Sequence, residues 1–264
     1  MTMNSGPVFV LQERDRHLLR ELGHVRIFDR QQAQLIGGFG SESRTTRRLR
    51  QMVNAGLVRR MFLGTVGGGA KALYSLSEQG ARVAGVPYRS FRRTPNQGLV
   101  GDFFVTHQLA LNDVYCALRY QKAPLVPRVE FKRWLSFQEP VQPGLRLIPD
   151  GYVEFQTPAE TVASFVEVDL GHERLKVWKQ KVENYLQLAL SGTFERQFGA
   201  RRFRVLVVAH TPGRMLSIRK AVAAVTDKIF WFSNFEAIRR DGAFGSVWLR
   251  PRQNQPQPLF QELS

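Results

Sequence analysis

The sequence predicts an α/β protein of two domains: a small helical domain with a strand hairpin, and a larger domain of mixed helices and strands. Three observations lead to this prediction. Short helical patterns and two strand-like runs occupy the first third of the chain, a basic segment with proline and glycine follows, and strands alternate with helices in the remainder. A chain of 264 residues with 43% hydrophobic side chains is long enough to build two such cores.

The first third of the chain carries the pattern of three short helices. The segment LQERDRHLLRELGHVRIFD has leucines at helical spacing and predicts a first helix that ends at Gly23. Asp29 has the side chain of a good N-cap and would begin a second helix, RQQAQLIG. The segment SESRTTRRLRQMVNAGLV predicts a third helix, capped by Ser41 or Ser43 and ended by residues 54–56.

Two strand-like runs, LVRRMFLG and KALYSLS, come next and are joined by the glycine-rich TVGGGA. Three helices and then a glycine-tipped hairpin is the order of a winged helix-turn-helix, so we assign residues 1–86 to such a DNA-binding domain, with its third helix in the major groove. The alternative is a small helical domain whose arginines only face solvent. The candidate DNA-binding residues are Arg44, Arg47, Arg48 and Arg50 on the third helix and Lys71 on the hairpin.

The charge of the chain indicates a polyanionic partner. The formal net charge is +16; residues 1–93 hold 16 Lys and Arg against 6 Asp and Glu, whereas residues 94–264 hold 22 against 16. A basic surplus of this size is typical of proteins that bind nucleic acid. The surplus lies mainly in the first domain, where the winged-helix pattern predicts double-stranded DNA as the partner; a basic protein without such a partner is the alternative.

The composition disfavours several other classes of protein. No apolar run approaches the roughly 20 residues of a membrane-spanning helix, and the chain does not begin with a charged and then apolar signal segment. Cys116 is the single cysteine, so the sequence offers no disulfide framework and no thiolate metal cluster. We therefore expect a cytoplasmic protein with no membrane insertion.

A basic linker, residues 87–98, separates the two predicted domains, because it carries prolines, an asparagine and a glycine without periodicity. Residues 99–250 predict a long helix, a strand hairpin, a third strand (ETVASFVEVDL), a helix (HERLKVWKQKVENYLQLALS) and a very apolar strand (FRVLVVAHT) that we place at the centre of the sheet. A helix, MLSIRKAVAAVTD, and a last strand, GSVWLR, complete a mixed α/β layer fold. The Pro- and Gln-rich residues 251–264 predict a flexible tail.

Three carboxylates are expected to meet at one edge of this sheet. Glu167 and Asp169 flank a single valine in the stretch FVEVDLGHE, so their side chains point to the same face of a strand. Asp150 starts the preceding strand, and pairing of the two strands would bring it beside them. Like charges this close repel, and a divalent cation that prefers oxygen ligands, Mg²⁺ or Mn²⁺, is the usual solution. The alternative is a set of exposed carboxylates paired with basic side chains.

These residues carry a resemblance to known families. The dipeptide PD ending at Asp150 and the tripeptide EVD from Glu167 to Asp169 resemble the PD-(D/E)xK nuclease superfamily. PDGYVEF followed by FVEVDLGHERLKVWKQKVENY, after a winged helix, resembles the replication-relaxation family, which overlaps the MOBC class of conjugative relaxases, over roughly residues 10–250. The resemblance implies a restriction-endonuclease-like domain over residues 99–250, a metal held by the three carboxylates, and a metal-dependent endonuclease that nicks DNA of a plasmid or other mobile element.

The chain departs from the superfamily pattern at the lysine that orients the attacking water. The pattern places this lysine two residues after the glutamate, where the chain has Asp169. A lysine from the next helix can supply the charge instead; at 100° per residue, Lys181 borders the buried stripe of that helix and Lys176 lies on its far face. The rise of the helix also returns Lys181 to the level of Glu167. The resemblance favours Lys181 as well, with Tyr185 one turn further on as the candidate for covalent attachment to DNA.

Three functions remain open from the sequence. The first is a relaxase-like endonuclease that cuts by hydrolysis or through a covalent tyrosine intermediate, with accessory relaxosome or secretion-coupling proteins as partners. The second is a winged-helix regulator of replication or transcription whose second domain keeps the fold without the activity, which Asp169 in the lysine position supports. The third is an endonuclease of a transposon or defence system. The sequence leaves the oligomeric state open.

Overall fold

A computed structural model describes residues 9–64, 68–89, 98–121 and 129–260. The chain divides into two compact units, residues 1–116 and residues 117–264. Helices and two β-sheets make up the described parts, which confirms the prediction of a mixed α/β protein. Within these parts, no helix has both the length and the apolar character that crossing a bilayer requires.

The first unit combines helices with a three-stranded antiparallel sheet of order β1-β3-β2. The predicted hairpin forms, with Val58 opposite Leu76 and Gly64 opposite Ala70. Its elements are α1 (Glu13–Val25), β1 (Ile27–Asp29), α2 (Arg30–Ile36), α3 (Glu42–Asn54), β2 (Val58–Gly64), β3 (Ala70–Leu76), α4 (Glu78–Ala84) and most of α5 (Gly98–Arg119).

Local capping signals set most helix boundaries in this unit. The Asp29 side chain accepts a hydrogen bond from the Gln32 backbone N–H at 2.9 Å and starts α2, and the Ser41 hydroxyl caps α3. Gly56 follows α3 with φ +70°, a conformation that glycine adopts at little cost. The predicted stop at Gly23 is wrong: α1 continues to Val25 and ends at Arg26, whose backbone N–H still bonds to the Leu22 carbonyl.

The long helix α5 packs largely within the first unit, although the sequence assigned it to the second domain. The Gln32 side chain donates a hydrogen bond to the Leu109 carbonyl at 2.9 Å, and the Asn112 side chain donates one to the Ile27 carbonyl at 2.6 Å. Leu109 also joins a buried apolar cluster with Ile27 and Leu73. The predicted linker precedes this helix, and its residues 90–97 lie outside the described residues.

The second unit is built on a five-stranded sheet of order β4-β5-β6-β7-β8. Strands β4, β5 and β6 are antiparallel, and β6, β7 and β8 run parallel. Its elements are β4 (Glu130–Leu135), β5 (Gly151–Gln156), β6 (Thr161–Asp169), α6 (Leu175–Leu190), α7 (Thr193–Phe198), β7 (Phe203–Ala209), α8 (Pro212–Ala223), β8 (Phe230–Asn234) and α9 (Phe235–Asp241).

The central strand of this sheet is β6 rather than the more apolar β7, which the sequence placed at the centre. Both strands are buried on both faces. An apolar sequence indicates that a strand is buried on both faces, but it does not indicate which of two buried strands lies in the middle of the sheet. Because β6 is central, its side chains on one face lie beneath α6 and contact Trp178 and Tyr185.

The C-terminal end of the chain differs from the prediction. The segment GSVWLR forms only isolated bridges, Phe232 with Leu249 and Trp248 with Gln257, and the last strand of the sheet is β8. Over its described part, the tail predicted to be flexible (251–264) packs against the protein: Phe260 is buried and its ring lies 5.3 Å from that of Phe155. The short elements α7, β8 and α9 were not predicted.

Candidate functional site

The candidate site lies at the carboxyl end of β6, where two acidic side chains point to the same face. Glu167 and Asp169 are both buried, and each faces a different cation. Strand β5 runs antiparallel beside β6, so Asp150, just before β5, lies next to the end of β6. The Asp150 carboxylate accepts a hydrogen bond from the Val168 backbone N–H at 2.8 Å. The predicted pairing of these two strands is confirmed.

Glu167 is the centre of the cluster and has no exposed surface. Its Oε2 accepts a hydrogen bond from the Lys181 ammonium at 2.9 Å, and its Oε1 accepts one from the Tyr185 hydroxyl at 2.6 Å. Burial raises the pKa of Glu167 to about 7; Lys181 opposes this rise, and the nearby charge of Asp150 adds to it.

Lys181 reaches Glu167 from α6, at the position that helix geometry predicted. Its ammonium also bonds to Glu173 Oε1 at 3.0 Å, and its side chain is 21% exposed. Burial lowers the pKa of Lys181, but the carboxylates of Glu167, Glu173 and Asp150 outweigh burial and raise it. Lys181 is therefore held in its charged form at the rim of the cluster. Lys176 is exposed.

Asp169 does not share the environment of Glu167. Its two oxygens accept a bidentate pair of hydrogen bonds from Arg214, both 2.8 Å, and a further bond from the Trp178 indole N–H at 2.8 Å. Gly171, with φ +92°, turns the chain so that its own N–H bonds to Asp169 at 2.7 Å. Burial works to raise the pKa of Asp169, and the bonds from Arg214, Trp178 and Gly171 outweigh it and lower the pKa. The charge of Asp169 is thus compensated by the protein itself.

Tyr185 is fully buried beneath the sheet, with its ring 5.5 Å from Phe165 and 5.9 Å from Phe230. Burial and the neighbouring Glu167 raise its pKa well above the usual value for tyrosine. A nucleophile must reach the phosphodiester, whereas this phenol donates a hydrogen bond to Glu167 inside the core. The geometry therefore makes Tyr185 a positioning residue for Glu167 and gives no support to its predicted role in covalent attachment.

The sequence analysis grouped three carboxylates around one metal ion. In the structure they lie near two different basic residues, Lys181 and Arg214. Asp150 and Glu167 lie near each other and near Lys181, whereas Asp169 belongs to Arg214. Across the described ranges, no group of three or more His, Cys, Asp or Glu side chains has the arrangement of a metal centre. Asp150 and Glu167 therefore remain as two neighbouring carboxyl groups.

Sequence reasoning missed the cation that neutralises Asp169. Arg214 lies in the first turn of α8, 45 residues after Asp169, and it also donates to the Glu173 carbonyl. The only signal in the sequence was indirect: a buried carboxylate in the place of a lysine requires a positive partner. Nothing in the sequence indicates which of the 38 basic residues provides it.

The first unit presents a separate basic surface. Arg44, Arg47 and Arg50 are exposed on α3, as the prediction of a DNA-facing helix requires. Burial raises the pKa of Tyr74, and the charges of Arg60, Arg30 and Arg50 act against that rise. These three arginines come from β2, α2 and α3 and lie around one tyrosine, so the basic surface extends beyond α3 to residues that the sequence analysis did not select.

Two of the predicted DNA-binding residues have partners inside the protein. The Arg48 guanidinium forms a bidentate ion pair with Asp15, whose side chain is fully buried, and one of these bonds measures 2.9 Å. Lys71 forms an ion pair with Asp29, the cap of α2. Arg48 thus joins α3 to α1 through the buried Asp15.

Comparison with known protein families gives a match. The family model described as Replication-relaxation matches residues 19–201, which is about two thirds of the chain and includes the predicted third helix and the whole carboxylate cluster. No curated protein and no solved structure matches the chain.

Proposed function

This chain belongs to the replication-relaxation family, and we propose that it binds duplex DNA of a plasmid or other mobile element and nicks one strand in a metal-dependent reaction. The observation that carries the proposal is the 2.9 Å contact between the Lys181 ammonium and Glu167, beside Asp150. An acidic pair and a lysine from three separate elements converge here, which is the set that the PD-(D/E)xK pattern requires.

The order of elements supports the same proposal. Helix α5, the three antiparallel strands β4 to β6, helix α6 and the parallel strand β7 follow one another in the predicted order. The pattern places the catalytic lysine on the strand, two residues after the glutamate. Here Asp169 stands at that position, and α6 returns Lys181 to the carboxylate instead.

Mg²⁺ or Mn²⁺ fits the two carboxylates. Mg²⁺ is commonly held by one or two carboxylates together with phosphate oxygens of a substrate, and in this proposal Asp150 and Glu167 are the protein ligands. In this proposal Glu167 would exchange its single hydrogen bond from Lys181 for the ion, whereas Asp169 is held through both oxygens by the Arg214 guanidinium and is not a ligand. Such an ion, when bound, polarises a phosphodiester and activates a water molecule.

The protein residues have separate tasks in this mechanism. The Lys181 ammonium at the rim stabilises the negative charge that develops on the phosphate in the transition state. Glu173 holds that ammonium through its Oε1, and Tyr185 fixes the orientation of Glu167. With Tyr185 buried, the proposed reaction is hydrolytic.

In the same proposal, the first unit is a winged helix-turn-helix that selects the duplex. The exposed arginines of α3 enter the major groove, and the β2–β3 hairpin follows the backbone. Accessory proteins of a relaxosome or secretion system are the expected further partners, since relaxases act within such assemblies.

One observation favours a second function, a regulator that binds DNA without cutting it. Both oxygens of Glu167 are already bonded to Lys181 and Tyr185, and Asp169 is neutralised by Arg214. Each of the two buried carboxylates on β6 therefore has its own cation without a metal ion, as in a buried network that only stabilises a fold. Binding and cleavage measurements separate the two functions.

The basic surface of the first unit leads to a prediction on DNA affinity. Arg47→Ala and Arg50→Ala are each expected to weaken binding to duplex DNA and to lower the salt slope by about 0.9 per lost phosphate contact. Arg48→Ala is instead expected to lower the free energy of unfolding by about 3 kcal/mol, because it leaves the buried Asp15 carboxylate without its cation. Fluorescence anisotropy over a range of salt concentrations and urea unfolding measure the two effects. Equal salt slopes for all three variants and the wild type would remove α3 from the interface.

The proposed metal site leads to a prediction on thermal stability. Mn²⁺ is expected to raise the melting temperature of the wild type and to leave that of Asp150→Asn/Glu167→Gln unchanged, because a ligand that binds only the folded state stabilises it. The matched control is Glu236→Gln/Asp241→Asn, which removes two exposed carboxylates of α9 and should keep the Mn²⁺ effect. An equal Mn²⁺ shift in wild type and Asp150→Asn/Glu167→Gln would place the metal elsewhere.

A further inference from the structure

A cavity of about 570 Å³ lies in the second unit, away from the carboxylate cluster. Its walls come from the starts of β6, β7 and β8 and from the end of α6. Thr161 lines it, and Glu167 lies six residues further along the same strand, about 20 Å away at the usual rise of a β-strand. No residue of the cavity takes part in the proposed cleavage.

Cations dominate the lining of this cavity. Glu160 and Glu195 are its acidic residues, and each is paired at the surface: Arg202 lies 3.2 Å from Glu160, and Arg201 lies 3.5 Å from Glu195. Exposed pairs of this kind are weak and exchange readily for other partners. The basic residues of the lining are Arg201, Arg202, Arg204, Lys228 and Arg250.

Arg204 and Arg250 are the deepest of these cations and face backbone acceptors. Arg204 donates to the Leu259 carbonyl at 2.5 Å, and Arg250 donates to the Asp227 carbonyl at 3.4 Å. Among residues placed by the structure, neither guanidinium has a carboxylate within ion-pair distance, and the Nε of Arg250 is buried without a hydrogen-bond partner. Buried donors of this kind are normally satisfied, so the arrangement leaves positive charge and donor capacity for a ligand.

The Trp231 ring contacts both guanidinium groups. Its ring centroid lies 4.7 Å from Arg204 Cζ and 5.1 Å from Arg250 Cζ, within the range of cation–π attraction. Burial lowers the pKa of Arg204; Glu160 opposes this, and Arg250 and Arg202 lower the pKa further. Two like charges in a partly buried site repel each other, and an anion bound beside them would relieve that repulsion.

The backbone of the cavity is strained at Ile229. Its φ of +45° is rare for a β-branched side chain, and the Ile229 carbonyl is held by the Val205 backbone N–H at 2.8 Å. Strained residues of this kind persist where the surrounding structure fixes them, and they concentrate at ligand sites. Here the strained residue connects Lys228 with β8, which carries Trp231.

We propose that this cavity binds a phosphate ester, either a free nucleotide or the backbone of a single DNA strand. Guanidinium groups match the geometry of phosphate through paired N–H donors. The volume lies within the range of small-ligand sites and leaves room for a nucleotide around the phosphate. Trp231 is 7% exposed and already lies against two arginines, so the site reads the phosphate rather than stacking on a base. The proposal stands whether or not the carboxylate cluster cleaves DNA.

The test uses the full-length wild type and a chemical footprint on Lys228. Inorganic phosphate, a nucleoside monophosphate and a short single-stranded oligonucleotide are added separately, the lysines are acetylated, and modification is quantified by mass spectrometry with exposed Lys176 as the internal reference. Selective protection of Lys228 by the nucleotide identifies a free nucleotide as the ligand source, and protection by the oligonucleotide alone identifies a DNA strand. If none of the three probes protects Lys228, the proposal is overturned.

A binding series on variants provides the second arm. Arg204→Gln/Arg250→Gln is expected to bind the protecting probe about tenfold more weakly or worse, because charge-assisted hydrogen bonds are lost. The matched control, Arg239→Gln/Arg240→Gln, removes two exposed charges of α9 and should bind like the wild type. Because Arg204 is partly buried, exposed Lys228→Gln is measured as well and should weaken binding in the same direction. Wild-type affinity in a folded Arg204→Gln/Arg250→Gln variant would contradict the proposal.

Discussion

Replacement of Lys181 by alanine is expected to lower the rate of metal-dependent DNA nicking by about 10² to 10³-fold. Lys181 is the cation that touches Glu167, and its ammonium is held at the rim by Glu173. A positive group that acts on charge formed in the transition state contributes to the rate of the chemical step. DNA affinity should change little, because one rim lysine is a small part of a chain with a net charge of +16.

The matched control for this prediction is Lys176→Ala. Lys176 lies on the same helix and carries the same charge, but it is exposed. Rates are measured at saturating DNA and Mn²⁺, so that a change in binding does not appear as a change in rate. If Lys181→Ala nicks at the wild-type rate, Lys181 has no catalytic role, and its contact with Glu167 only stabilises the fold.

Replacement of Arg214 by alanine is expected to lower the free energy of unfolding by about 3–5 kcal/mol, because it leaves a buried carboxylate without its partner. The Asp169 side chain is 1% exposed, and Arg214 supplies two of its hydrogen bonds. The remaining bonds from Trp178 and Gly171 do not replace the lost positive charge. Urea unfolding at neutral pH measures the effect.

Two further variants show whether the loss of stability in Arg214→Ala comes from the ion pair between Asp169 and Arg214. Lys220→Ala removes an exposed cation from the same helix and should leave stability nearly unchanged. The double variant Asp169→Asn/Arg214→Met also removes the buried negative charge. Its loss in the free energy of unfolding should therefore be smaller than the sum of the losses in Asp169→Asn and Arg214→Met alone. If Arg214→Ala is as stable as the wild type, the ion pair does not hold Asp169, and Asp169 returns to the set of possible metal ligands.

The features that were predicted correctly from the sequence depend on neighbouring residues. The caps of α2 and α3 follow from Asp29 and Ser41, which bond to N–H groups three residues later. The contact of Lys181 with Glu167 follows from the regular rise and rotation of one helix that returns along one strand. In each case, short-range geometry sufficed to place the residues.

The features that were missed depend on contacts between distant segments. Arg214 reaches Asp169 across 45 residues, and Arg48 reaches Asp15 across 33. An arginine that pairs with a buried carboxylate has the same local sequence pattern as one that faces DNA. The sequence analysis therefore selected Arg48 as a DNA-binding candidate. The assignment of α5 to the second domain was misplaced for the same reason, since Gln32 and Ile27, which bond to α5, lie more than 70 residues earlier in the chain.

The central claim is that Asp150, Glu167 and Lys181 form a metal-dependent nicking site, and a supercoiled plasmid carrying DNA of the parent element tests it most directly. We expect the wild type to convert this plasmid to nicked circles with Mn²⁺ and not with EDTA, and Asp150→Asn/Glu167→Gln to bind the same DNA but leave it supercoiled. A wild type that binds the plasmid tightly and nicks none of it with Mn²⁺ or Mg²⁺ would contradict the account and establish the cluster as a structural network in a DNA-binding regulator.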